Sequence, residues 1–118
     1  MPKPPTIPTN RRPTPPGEIL LREFLEPLGI TQAAFAKRIN ITAARLSEII
    51  HDKRPVTMDS ALRFERALGF SVESWLRMQL AVDIYDALHG PAAKSVASIK
   101  PFGRAAGRDR RRNATRLA

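Results

Sequence analysis

Thr31–Ile50, TQAAFAKRINITAARLSEII, has the period of two short helices joined by a tight turn. Thr31 and Thr42 each stand where a helix N-cap is needed. Where the two helices must approach, the residue is the small Ala36, and a larger side chain there would push them apart. The turn between them needs a left-handed backbone; glycine is usual there, and Asn40 is the next-best choice. Phe35, Ile39, Ile41, Leu46 and Ile49 fall where side chains must point into a shared core. Together these positions describe a helix-turn-helix, which sets its second helix into the DNA major groove.

On either side the pattern remains helical. A first helix is predicted over Gly17–Leu25, with Pro16 near its start and Pro27 after its end. Ile19, Leu20, Phe24 and Leu28 supply its apolar side. The second runs from Thr31 to Ile39 and the third from Thr42 to Ile50, followed by the polar loop His51–Pro55. The fourth is capped by Thr57 and stopped by Gly69. The fifth is capped by Ser71 and runs to Leu88. The expected fold class is therefore all-α: five helices in a lambda-repressor-like arrangement, with a flexible N-terminal arm and a basic C-terminal tail.

Charge divides the 118 residues the same way. Lys3, Arg11 and Arg12 give residues 1–15 a charge of +3, residues 16–90 carry −1, and residues 91–118 carry +7. The basicity lies in the ends, so the net +9 is no argument for DNA binding by the middle. Seven of the eleven prolines fall within residues 1–16, which predicts an extended, disordered arm over 1–15. Residues 91–118 lack an apolar period and are expected to be a mobile tail. The domain is expected over 16–90.

Several classes are disfavoured. With no cysteine there is neither a disulfide framework nor a thiolate metal site. No apolar run approaches a membrane span, and no signal-peptide pattern opens the chain, so a cytoplasmic location is expected. His51 and His89 have no metal-ligand spacing, and no Gly-rich phosphate loop is present. Neither an enzyme nor a cofactor is expected.

If the third helix enters the groove, Thr42, Ala43, Ala44, Arg45, Ser47 and Glu48 are its groove-facing residues. The two alanines can touch only a thymine methyl or permit close approach. Arg45 is the expected base reader, with guanine as its natural target. Gln32, Lys53 and Arg54 are expected on phosphates. The fifth helix is apolar around most of its girth, which predicts a two-fold dimer through Trp75, Gln79, Val82 and Tyr85. Such a dimer would set two recognition helices about 34 Å apart, one DNA turn.

The segments PPGEILLREFLEPLGITQAAFAKRINI and ARLSEIIHDKRPVTMDSALRFERALGFSVESWLRMQLAVDIYDAL, between Pro15 and Leu88, resemble the HigA-type antitoxins of bacterial toxin–antitoxin modules. These lie within the larger Xre and lambda-repressor-like group. The resemblance implies a homodimer that binds operator DNA and represses its own operon. It also implies direct neutralisation of a RelE-like (HigB-like) mRNA-cleaving toxin. A stand-alone regulator with no toxin is the alternative. The chain departs from the family at Asn40, where Gly is commoner, in the double alanine that opens the third helix, and in both terminal segments. Antitoxins often present an acidic surface to a basic toxin; here the neutral middle makes that contact, or the partner differs. The Arg110–Arg112 cluster could add non-specific phosphate contacts.

Overall fold

Four of the helices start on a side-chain cap. A computed structural model describes residues 11–103. The expectations for residues 1–10 and for the Arg110–Arg112 cluster lie outside the described residues. Six helices run through the described part, with no strand among them. Helix α1 comprises Pro16–Ile19, Leu20–Leu25 and Glu26–Leu28 in unbroken succession; then come α2 (Gln32–Arg38), α3 (Ala43–Ile50), α4 (Met58–Leu68), α5 (Val72–Leu88) and α6 (Ala93–Ala97). Thr31, Thr42 and Thr57 accept from the backbone N–H groups of Ala34, Arg45 and Ser60 at 3.1, 3.0 and 3.3 Å. Ser71 accepts from Ser74 N–H at 3.1 Å ahead of α5. Each such cap stabilises its helix by about 1 kcal/mol.

The helix ends follow one design. Ile30 N–H donates to the Leu25 carbonyl, Ile41 N–H to Ala36 and Lys53 N–H to Glu48, each five residues back. The residue before each donor has a left-handed backbone: Gly29 at φ 68°, Asn40 at 61° and Asp52 at 60°. This is the Schellman closure, which satisfies carbonyls that the helix end would leave open. Asn40 was expected to serve in this way; Asp52 does so as well.

Two expectations are corrected. The first helix does not stop before Pro27 but continues to Leu28. Its Leu20–Leu25 segment is π-helical, and Glu26 N–H donates to the Leu21 carbonyl. Proline lacks an N–H and its ring crowds the carbonyl four residues back, and widening the preceding turn relieves that crowding. The helix therefore ends at Gly29 instead, and Leu28 projects 61% exposed rather than joining the core. The second correction is the count. Ala93–Ala97 forms a sixth helix in a segment expected to be tail.

The chain divides into two compact units after Asp86. The core of the first is built around Trp75 and Phe64, both fully buried, with Leu20, Leu25, Phe35, Ala36, Leu46 and Ile49. The Trp75 ring lies 5.4 Å from Phe24, 5.1 Å from Phe64 and 5.2 Å from Phe70. Burying each such side chain contributes on the order of 1.5–3 kcal/mol. Helices α1 and α3 meet at Gly17. A Cβ there would overlap the Ile49 carbonyl oxygen and come within 2.8 Å of Ile50 Cα. That glycine is what allows the N-terminus of α1 to lie against the end of α3. In the second unit, the α5 residues Ala87 and Leu88 lead through Gly90 into the one-turn α6, where Ser98 Oγ donates to the Ser95 carbonyl at 2.7 Å.

A candidate nucleic-acid interface on helix α3

Helix α3 is amphipathic, and its packing fixes which side is open. Leu46, Ile49 and Ile50 face the core. Thr42, Ala43, Ala44 and Glu48 are exposed and Ser47 is half-buried. Thr42, Ala43, Ala44 and Ser47 thus share one accessible side beginning at the helix N-terminus, where the first backbone N–H groups concentrate positive potential. Gln32 is half-buried at the first position of α2.

Arg45, the expected base reader, has partners within its own chain. Its Nη2 donates to Asp59 Oδ2 at 2.8 Å and to Ser60 Oγ at 3.1 Å, and its side chain is only 30% exposed. The guanidinium is thus drawn to the start of α4 through Nη2, and Nε and Nη1 take no part in these bonds. Asp59 also accepts from Arg63 Nε at 3.0 Å. Arg63, foremost, and Arg45 hold the Asp59 carboxyl below its ordinary pKa. Arg63 Nη1 in turn donates to the Ile39 carbonyl at 2.9 Å, at the turn that Asn40 makes. Arg63 therefore secures the turn of the motif. Its spacing from Asp59 was visible in the sequence, but nothing there tied it to Ile39.

The loop after α3 carries the expected phosphate ligands. Lys53 is exposed and has no ion pair among the described residues. Arg54 Nε donates to Glu48 Oε1 at 2.8 Å, and both side chains are about half exposed. An exposed pair of this kind contributes at most about 1 kcal/mol, so a phosphate can compete for the guanidinium. His51 was not expected at the site. Its Nδ1 lies 2.8 Å from the Ser47 carbonyl, so Nδ1 must carry the hydrogen in that bond. In the neutral ring Nε2 is then left as an acceptor, one turn beyond Ser47.

A second unexpected residue is Arg12. Its Nε and Nη2 grip the two oxygens of Asp86 at 2.8 and 2.9 Å, and its Nη1 donates to Asp52 Oδ2 at 2.7 Å. Asp86, foremost, and Asp52 raise the guanidinium pKa further above its ordinary value. The clamp joins the chain just ahead of α1 to the loop bearing Lys53 and Arg54, and both to α5. Asp52 needs its left-handed backbone to be in place for this.

The expected dimer residues need reassignment. Trp75, Gln79 and Val82 are buried inside their own chain. Gln79 Oε1 accepts from Val56 N–H at 2.8 Å, and its Nε2 donates to Asp83 Oδ1 at 2.9 Å. It is an internal tie that closes the α3–α4 loop. Tyr85 is half-buried. Leu80 and Ile84 are instead open, at 57% and 38%. At 100° per residue they stand roughly 140° and 180° round the helix from Trp75.

A family model described as "Helix-turn-helix" matches residues 21–75. Virulence-associated protein I of Dichelobacter nodosus is 40% identical over 82 residues, 67% of this chain and 76% of that one. Antitoxin HigA-1 of Vibrio cholerae is 41% identical over 78 residues, 66% of this chain and 73% of that one. Among solved structures, the Pseudomonas aeruginosa antitoxin HigA with the higBA promoter superposes with a TM-score of 0.72 at 30% identity, covering 77% of this chain and 99% of that one.

Proposed function

Because the chain belongs to the helix-turn-helix family that includes the HigA antitoxins, we propose that it is an operator-binding antitoxin which represses its own operon and neutralises a RelE-like toxin by direct binding. The observation that carries the DNA-binding part is the open side of α3. Thr42, Ala43, Ala44 and Ser47 lie together on a helix whose other side is locked into the core. The solved relative it superposes on is described with its promoter DNA.

In this reading α3 enters the major groove. Thr42 and Ser47 offer hydroxyls, and the two alanines allow close approach and thymine-methyl contact. Gln32, Lys53 and Arg54 hold phosphates on the two sides of the groove. Arg45 supports the junction of α3 and α4 rather than reading a base. With so few polar groups facing the bases, selectivity draws on DNA shape and on simultaneous binding of two half-sites. The dimer this requires uses the open side of α5, with Leu80 and Ile84 at its centre. Trp75, Gln79 and Val82 support that helix from within.

A growth assay tests the antitoxin reading. The small reading frame adjacent to the gene is expressed in a bacterial host, alone and then together with this chain. The reading predicts arrest alone and recovery with this chain. Harmlessness in both cases would leave the stand-alone regulator in its place.

A further inference from the structure

The chain ahead of α1 is held at two points. Pro16 is fully buried at the start of α1. Before it in the chain, Arg12 bonds Asp86 through Nε and Nη2 at 2.8 and 2.9 Å, and Asp52 through Nη1 at 2.7 Å. Between these anchors stand Pro13, Thr14 and Pro15, and Pro15 is extended at φ −65° and ψ 150°. Proline fixes its own φ and restricts the residue before it, so this stretch has little freedom left. The position of Arg11, the residue before the clamp, is thereby set. Its neighbour is bonded to Asp52, and Asp52 immediately precedes Lys53. Arg11 therefore stands beside the loop to which phosphate contacts are assigned.

The charges at this place are sorted. A hollow of about 220 Å³ brings Arg12, Lys53 and Arg54 together with Asp52, Asp83 and Asp86. All three carboxylates are engaged within the chain, Asp52 and Asp86 by Arg12 and Asp83 by Gln79 Nε2 at 2.9 Å. Arg12 thus also neutralises the acid next to Lys53, which would otherwise repel a phosphate there. Arg54 is paired with Glu48. Lys53 and Arg11 are exposed, and neither has an ion pair among the described residues. Two uncommitted cations beside a neutralised loop suit a polyanion, and in the operator-binding reading one already lies along α3.

We propose that Arg11 is a further phosphate contact of the operator complex, placed by Arg12, so that the segment ahead of α1 and the loop after α3 hold neighbouring phosphates together. The proposal rests on the operator-binding reading above. A phosphate contact carries no base information, so Arg11 adds affinity for any duplex. The choice of sequence stays with α3 and with DNA shape.

The test uses the full chain, DNA from upstream of the gene and an unrelated duplex of equal length, with binding followed by fluorescence anisotropy over a range of salt concentrations. Wild type is compared with R11A, R11K, R12A and R11A/R12A. Arg11 is exposed and outside any ion pair, so R11A should melt as wild type does. The expected result for R11A is an affinity lowered about three- to tenfold for both duplexes, with the slope of log K against log salt shallower by about 1 per bound chain. R11K should keep most of the affinity, because a phosphate accepts a point charge. R12A should lose more than R11A, and adding R11A to R12A should cost less than about twofold further. Wild-type affinity and slope in R11A would overturn the contact, whether Arg11 then meets a protein partner or none. A loss confined to the upstream DNA, with the slope unaltered, would make Arg11 a base reader and overturn the phosphate assignment. An R11A effect as large in the R12A background as in wild type would overturn the placement by Arg12. A wild-type chain that binds neither duplex would remove the operator-binding reading, and the role of Arg11 with it.

Discussion

Helices α3 and α5 are the two elements on which the proposed function turns, and they differ in how strongly their sequences mark a direction. In α3, apolar Leu46, Ile49 and Ile50 alternate at helical spacing with Thr42, Ala43, Ala44, Ser47 and Glu48. That contrast fixes one buried and one open side. In α5, apolar residues occur almost all the way round, so the helix has no polar side to mark which way is out. Its direction is settled by tertiary contacts instead, by the ring cluster around Trp75 and the bond from Val56 N–H to Gln79. A helix that is apolar almost all the way round gives up the signal by which its sides could be told apart.

Substitutions on the two sides of α5 sharpen this contrast most strongly. Trp75→Ala empties the centre of the ring cluster and should lower folding stability by about 3–5 kcal/mol in urea unfolding. Leu80→Asp with Ile84→Asp should change the unfolding of the monomer by less than about 0.5 kcal/mol, yet shift the chain to a monomer in sedimentation. Loss of monomer stability comparable to that of Trp75→Ala would show that the open side is core after all. Gly17→Ala comes next in size. The added methyl must force α1 away from the end of α3, at a cost of about 1–3 kcal/mol.

Arg12→Ala should have a smaller effect, lowering stability by about 1 kcal/mol or less because the clamp is part-exposed. It should also weaken operator binding by freeing the loop that carries Lys53 and Arg54. Arg12→Lys should rescue little of this, since an ammonium cannot reproduce the two-pronged grip on Asp86. The smallest effect concerns acid. The Asp59 carboxyl has a folded-state pKa below its ordinary value, so its contribution is present above that ordinary value and fades as pH falls through the folded one. Asp59→Asn should flatten the stability profile in that acidic range; an unaltered profile would show that the Arg63 and Arg45 pairs contribute nothing.

What the sequence revealed follows the range of the interactions involved. Local features were legible: the caps at Thr31, Thr42, Thr57 and Ser71, the left-handed Asn40 and the buried side of α3. Features resting on residues far apart in the chain were not. Nothing in the sequence near Arg45 indicates that Asp59, fourteen residues on, comes within reach. Arg12 is joined to Asp86 across 74 residues. Gly17 read as a helix start, yet its use is the contact with Ile49 and Ile50. Pro27 illustrates a different failure. Its rule as a helix breaker is sound on average, but a π-turn upstream allows the helix to pass through it.

The central claim is that the open N-terminal side of α3 meets the operator while Arg45 holds the scaffold. Gel-shift affinity of Ala44→Glu for the DNA upstream of the gene tests it most directly, with thermal melting as the control for folding. The account predicts a loss of about 100-fold or more with an unchanged melting temperature, because a carboxylate at Ala44 would be pressed against the DNA. Operator affinity equal to wild type in a folded Ala44→Glu chain would contradict it.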